Sequence, residues 1–473
     1  MELNYSTVEN AFFSESKLQN ISTRMPYITV DSFPKLGLLS ALSFLEWACE
    51  NPKGVVCLPA GKTAQYFLQF TNLMLNEWDT IKGVELRQKY GLASSRPVLN
   101  QLQLVQMGDF YPISSSQHNS LYNFIIKNYI EKLGFNIHKA LLINSDKIEL
   151  AEGKHFSEVF PDFQIDLTLR YREAKSRQEN IQQQSIFKID QWCTDYEKRI
   201  RDKGGIGFFL GGIGPDGHIA FNTRGSDHFS PTRLTGTNFE TQAVTATDLG
   251  GIEVSRKRLV ITVGLGTLGF NPDNKAIVYA AGEAIADTIK HSLENEPTVI
   301  YPATSLQKLK NSRFYLTDGA SVSLEDAVEY FYSNGPWTHK KTERAVIELC
   351  KNINKFGGKL TINDLKEDKY CSRIPGLNEN TVQSVIDSIL QKLNKGMQRE
   401  TNQVYYHTGP HHDDIMLGIM PLTNRQSREA TNELHFSVLT SGYTAVTNSF
   451  LYDLLQDTKN LIDNGHIEML NYP

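Results

Sequence analysis

The sequence predicts an α/β fold, an open parallel sheet covered by helices, on three observations. Short, nearly unbroken apolar runs recur between residues 54 and 319, helix-spaced segments separate them, and glycine-bearing loops follow them. Strands buried on both faces read as continuous apolar runs, and parallel neighbours need helical crossovers.

LGLLSALSFLEWA (36–48) reads as an apolar helix. GVVCLPA (54–60) is a short β-branched run stopped by Pro59 and Gly61, and helical spacing resumes over 63–78, which gives strand, tight loop, helix. The unit recurs. LQLVQM (102–107) precedes GDFYP and a helix through Leu121, Phe124, Ile125 and Tyr129. IGFFLGG (206–212) precedes GPDGH, KRLVITVGL (257–265) is a further buried run, and KAIVYAAG (275–282) leads into AIADTIKHSL. RFYLTDG (313–319) and SLEDAVEYFY (323–332) supply the last strand and helix.

A composition shift follows. NGPWTHKKTE (334–343) reads as an exit linker, and two helical segments, 343–353 and 378–395, read as a helical bridge. In the second, Val382, Val385, Ile386, Ile389, Leu390 and Leu393 share a stripe. Strand and helix spacing then returns. QVYYHTG (403–409) leads to PHHDDIMLG, and LHFSVLTSG (434–442) leads to a helix with Val446, Phe450, Leu454 and Leu455. So short a stretch predicts a partial second α/β domain. The expected organisation is an N-terminal extension (1–35), a main domain (36–333), a helical linker region (334–401) and the partial domain (402–473).

A chain of 473 residues exceeds one ordinary core, and its formal net charge of -5 comes with interspersed signs. No basic tract is dense enough to follow a phosphate backbone, which argues against nucleic acid. Five scattered cysteines without a CxxC pair suit a reducing compartment. The polar N-terminus and the lack of a long apolar run predict a cytoplasmic protein without membrane contact.

The strongest chemical signal is GGIGPDGHIAFN (211–222). It follows a strand, and open α/β sheets bind ligands at the carboxyl edge. Asp216 and His218 flank Gly217, whose backbone freedom lets both side chains turn into one cleft. A carboxylate beside an imidazole fixes its tautomer and suits acid/base work near neutral pH. The alternative is a turn in which the Asp caps the next helix and the His is merely exposed.

The segment resembles the signature of glucosamine-6-phosphate deaminases, GGxGxDGHIAFNE. The resemblance covers about residues 35–333 and includes LPAGKT (58–63), the MGDF segment, ITVGLGTL (261–268) and SLEDAVEYF. It implies a Rossmann-like deaminase/isomerase fold and an aminosugar-phosphate deaminase/isomerase activity, a hydrolase of aminosugar metabolism. The reaction would turn a phosphorylated aminosugar into a ketose phosphate with release of ammonia. It further implies a small sugar-phosphate ligand, no cofactor and a homo-oligomer. His218 matches the ring-opening acid/base and Asp216 its carboxylate partner.

Several matched positions carry other residues. Thr223 stands where the family has a relay Glu, and Gly108 where it has the enolising Asp, with Asp109 next to it as either a replacement base or a helix cap. In the phosphate loop Gly61 and Thr63 are retained and Lys62 replaces a glycine, pointing either inward to the anion or outward to solvent. Thr247 and Ile285 fall at two cationic positions. Arg224 and Arg233 are the nearer substitutes, with Arg256 and Arg258 further off. Asp227 and His228 read as loop structure rather than as the alternative, a second catalytic pair. The substitutions predict altered or lost deamination. Two other readings are a noncatalytic sugar-phosphate-binding or assembly protein and an isomerase-type enzyme with a different, even unphosphorylated, substrate.

Near the C-terminus, PHHDDIMLG (410–418) resembles the HPDDE motif of PIG-L/LmbE-type N-acetylglucosaminyl deacetylases over about residues 402–460. The resemblance implies zinc on His411 and Asp414 with Asp413 as base, while His412 and Ile415 depart from the motif. Only His435 and His466 follow, outside the expected pattern, and two protein ligands make a poor zinc site.

Overall fold

The computed structural model describes residues 4–439 apart from 94 and 412, together with 455, 456, 458, 459, 462 and 463. The chain divides into two compact units, Met1–Ala327 and Val328–Pro473. The predicted helix after residue 442, with Val446, Phe450 and Leu454, lies outside the described residues, as do His412 and His466.

In the first unit the strands are β1 (Tyr27–Val30), β2 (Val55–Cys57), β3 (Gln103–Val105), β4 (Gly108–Tyr111), β5 (Phe208–Gly212), β6 (Arg233–Thr235), β7 (Leu259–Thr262), β8 (Lys275–Ala280) and β9 (Arg313–Thr317). Six of them form one sheet in the order β1-β9-β8-β5-β2-β3, and all its pairings are parallel. Neighbouring residues on these strands enter different cores. Phe208, Ile277 and Tyr315 join the cluster containing Phe44 and Phe67, whereas Phe209, Val278 and Phe314 join the one containing Ile186, Ile189 and Tyr196. The sheet is thus buried on both faces, the physical reason its strands read as continuous apolar runs.

The helices that cover it include α1 (Thr7–Glu15), α2 (Phe33–Glu50), α3 (Gln65–Asn76), α4 (Leu121–Ile125), α5 (Arg177–Asp202), α6 (Phe239–Leu249) and α7 (Ala286–Glu294). The longest, α5, buries Ile181, Ile186, Ile189, Cys193, Tyr196 and Ile200 at helical spacing.

Two expectations are corrected. The run at 257–265 does not join the parallel sheet: β7 is the centre of a separate antiparallel sheet, β4-β7-β6. Val260 and Ile261 are both fully buried there, so its sequence carries the same unbroken apolar signature as a parallel strand. Nor do residues 1–35 stand apart from the domain, because Tyr27–Val30 pairs with Phe314–Thr317 as the edge strand. Helix α1 is tied to the sheet through Glu9, whose buried carboxylate meets Arg313 Nη1 at 2.5 Å, Lys275 Nζ at 3.3 Å and the Tyr315 hydroxyl. Burial pushes the Glu9 pKa up, but the Lys275 and Arg313 charges outweigh it and hold the carboxyl low.

The position of β2 matters most for function. It lies between β3 and β5, so the chain leaves β2 toward one edge and later returns to its other side. The loops after β2 and β5 therefore emerge side by side at the carboxyl edge, the switch point where such sheets bind ligands.

In the second unit α8 (His339–Ile353) and α9 (Thr381–Met397) pack around Val346, Leu349, Leu365, Cys371, Val382 and Val385. The predicted stripe on α9 is buried only at its start; Leu390 and Leu393 are exposed. Strands β10 (Val404–Gly409) and β11 (Glu433–Val438) pair in parallel across α10 (Asp414–Ser427), a single strand-helix-strand unit. Among the described residues no helix is long and apolar enough to cross a membrane.

Candidate active site

Strand β5 ends at Gly212, and the loop that follows folds back on itself, with Gly214 N–H donating to His218 O at 3.0 Å and Gly217 N–H to Gly214 O at 2.9 Å. Gly217 has φ 79°, in the left-handed region that favours glycine. This turn brings Asp216 and His218 together, His218 Nδ1 standing 2.5 Å from Asp216 Oδ1. A carboxylate only accepts, so Nδ1 carries the proton, and Nε2 is not engaged by Asp216. Thr241 Oγ1 lies 3.4 Å from Nδ1, and the His218 side chain is 14% exposed.

Asp216 is fully buried and holds two further donors on Oδ2, the Arg224 amide at 3.0 Å and Asn238 Nδ2 at 2.6 Å. Burial alone would raise its pKa. The hydrogen bond and charge of His218, with the Arg224 and Asn238 donors, prevail and hold the carboxyl well below the usual range. The loop is pinned from behind by Asn222, which donates to Ile219 O at 3.1 Å and to Val263 O at 2.8 Å at the end of β7.

Asn238 and Asn222 were not singled out in the sequence. Asn238 is the N-cap of α6, accepting from the Thr241 amide at 3.1 Å, and an Asn before a helical run signals a cap. Nothing local reveals that its amide also serves Asp216.

The other predicted residues separate into distinct roles. Asp109 is 1% exposed and its two oxygens accept five hydrogen bonds: from the amides of Phe110 (2.9 Å), Leu121 (3.0 Å) and Tyr122 (2.8 Å), from Ser120 Oγ (3.0 Å) and from Gln106 Nε2 (3.3 Å). Burial pushes its pKa up to about 6 against these donors. Asp109 thus caps α4, and both lone-pair faces of a would-be base are spent. Gly108 offers no room for a base either, since a Cβ there would meet Ile261 O at 2.8 Å and the Phe221 ring at 3.0 Å. Thr223 follows the loop, and Asp216 is the one carboxylate that contacts His218 among the described residues.

In the loop after β2, Gly61 has φ 89° and begins the turn Lys62–Ala64 that runs into α3 without a side-chain cap. Lys62 Nζ pairs with Asp248 Oδ1 of α6 at 2.7 Å. Thr63 is exposed beside it, as is Thr247 on α6, and Ile285 precedes α7 as an apolar residue. The arginines offered as substitutes are engaged. Arg233 donates to Asn222 Oδ1 at 2.8 Å and to Ser230 and Ser226 hydroxyls at 3.1 Å, and Arg224 lies over the Tyr301 ring at 5.8 Å. Arg258 donates to Pro112 O at 2.6 Å and Arg256 pairs with Glu253. Asp227 closes a local turn onto the Phe229 amide at 2.8 Å.

Among the described residues no group of three or more His, Cys, Asp or Glu is placed to hold a metal ion. His411 Nδ1 meets Asp413, and Asp414 Oδ2 accepts from the His411 amide at 2.7 Å, so the two ligands implied for zinc face different partners.

The Asp216–His218 pair thus stands at the carboxyl-edge switch point of the parallel sheet of an α/β domain. No family model matches the chain. The glucosamine-6-phosphate deaminase of Borrelia garinii subsp. bavariensis is 30% identical over 213 residues, 45% of this chain and 78% of that protein. That of Borreliella burgdorferi (strain ZS7) is 29% identical over 221 residues, 46% of this chain and 81% of its own length. A solved monomeric glucosamine-6-phosphate deaminase covers 63% of this chain and 99% of its own at 17% identity, with a TM-score of 0.45. The chain belongs, over this part, to the glucosamine-6-phosphate deaminase family. The deacetylase resemblance of residues 402–460 finds no support in the matches to these curated relatives.

Proposed function

We propose that the first unit binds a cyclic aminosugar at the switch point and opens its ring by proton transfer through His218, with deamination weakened or absent. One observation carries this reading: His218 is held by Asp216 through Nδ1 at 2.5 Å, which leaves Nε2 outside that contact. Nε2 takes the proton of the C1 hydroxyl as the bond from C1 to the ring oxygen breaks and the C1 carbonyl forms. The Asp216 carboxylate stabilises the imidazolium, and Nε2 returns the proton to the former ring oxygen. Release of ammonia as in the relatives needs a second base to move the proton between C2 and C1. Position 108 has no side chain, and Asp109 spends its oxygens on α4.

The test is α/β anomer exchange of glucosamine, with and without a 6-phosphate, by saturation-transfer NMR, with ammonia and ketose assayed in the same samples. Wild type is expected to speed exchange over the spontaneous rate, His218→Gln to abolish that gain, and ammonia to stay near background. Exchange no faster than in His218→Gln would sink the enzyme reading. The noncatalytic reading, a sugar-phosphate-binding or assembly protein, draws on the same saturated Asp109 and closed space at Gly108.

A further inference from the structure

The head of α3 sets up an anion site in the ordinary physical sense: the turn begins at Gly61, no side chain caps it, and backbone N–H groups and the helix dipole favour negative charge. The lysine of that turn is already paired with a carboxylate. Asp248, at the end of α6, reaches Lys62 Nζ at 2.7 Å, which leaves the pair electroneutral. Of the arginines along neighbouring segments, Arg233 is held by Asn222 and two serines and Arg258 by Pro112 O, while the exposed Arg224 lies over the Tyr301 ring at 5.8 Å. The floor beneath the loop is also uncharged but polar. Tyr279, on β8 opposite Gly212 of β5, is 6% exposed, and its buried hydroxyl lies by Thr63 without a hydrogen bond of ordinary geometry. A buried hydroxyl with no partner is costly, and a ligand hydroxyl is the kind of group that satisfies it.

We propose that Asp248 stands in for the anion at the head of α3, so that the site takes a hexosamine whose far end is an uncharged hydroxymethyl group rather than a phosphate. This rests on the reading of His218 as the group that meets the sugar ring. A phosphate would bring about two negative charges to a loop whose single lysine is already neutralised, and close to a carboxylate. A hydroxymethyl group meets no such opposition.

The experiment is calorimetric titration of the full chain with glucosamine and with glucosamine 6-phosphate, for wild type, Asp248→Asn and Thr247→Arg. Both substitutions fall on α6 at positions that are not buried, and the second supplies a cation one residue from Asp248. Wild type is expected to bind glucosamine more tightly than its 6-phosphate by about tenfold or more. Each variant is expected to shift that ratio toward the phosphate by about tenfold, the shift shrinking as salt is raised. Tighter binding of the phosphate by wild type, a ratio unmoved in both variants, or binding of neither sugar overturns the proposal. The two readings fail separately. Glucosamine bound without faster anomer exchange removes the ring-opening role but keeps the charge preference, and faster exchange of the 6-phosphate alone does the reverse.

Discussion

The His218 imidazole lies so close over Gly214 that a Cβ on residue 214 would stand 1.9 Å from Cε1 and 2.2 Å from Nδ1. The glycine is the seat of the ring, and its amide also bonds the His218 carbonyl at 3.0 Å. Gly214→Ala must therefore displace the imidazole, either from Asp216 or from the cleft. Anomer exchange is expected to fall by about 100-fold, because proton transfer tolerates little misplacement. The thermal midpoint should move far less. Exchange at the wild-type rate would show that the ring works from another position.

Asp216 links the site to stability. Its folded-state pKa is depressed, so the unfolded chain takes up the proton first as pH falls. Its contribution is fully present above the ordinary aspartate value of about 4 and is lost as pH falls from there toward the folded pKa. At pH 7 Asp216→Asn is expected to be less stable than wild type by about 1–3 kcal/mol in urea titrations. That gap should close as pH is lowered from about 5 to 2. A gap that stays constant over this range would mean that Asp216 does not titrate in the way its partners dictate.

Asp109 can be separated from catalysis. As a cap that accepts from three backbone amides it should cost about 1–3 kcal/mol on replacement by Ala, with anomer exchange unchanged within a few-fold once the protein is folded. Asp109→Asn should recover part of the stability. A loss of exchange in Asp109→Asn at wild-type stability would restore the role of base and reverse the assignment.

Glu9 ties α1 to β8 and β9 through Lys275 and Arg313, both buried or nearly so. Glu9→Ala leaves those cations without their carboxylate and is expected to destabilise the first unit by about 3–5 kcal/mol. A loss below about 1 kcal/mol would class the cluster with exposed ion pairs.

Zinc at the second unit can be tested by elemental analysis before and after chelation. The divergent partners of His411 and Asp414 predict less than stoichiometric zinc and a thermal midpoint unmoved by the chelator. One zinc per chain, lost in His411→Ala, would overturn this.

Much of the architecture was legible without coordinates. The runs at 54–60, 206–212, 275–282 and 313–319 announced parallel strands because a strand buried on both faces has no polar side to display. For the same reason the sequence misread 257–265: Val260 and Ile261 are buried between other layers, and an apolar run does not encode the direction of its neighbours. Tyr27–Val30 precedes the first predicted helix, with no helical unit predicted before it, and becomes a strand because β9 offers it an edge and Glu9 holds α1 in place.

For the site, spacing alone brought Asp216 and His218 to one turn, because two residues flanking a glycine cannot lie far apart. The absence of a side chain at Gly108 and of charge at Thr247 and Ile285 was likewise plain from the sequence. What only the tertiary structure decided was how each polar group is spent. Asp109 belongs to α4, Lys62 belongs to Asp248, and Asn238 completes the shell of Asp216. Each of the last two joins segments far apart in sequence, and a hydrogen bond or ion pair of that kind depends on where the fold sets two chain segments, which no local pattern records.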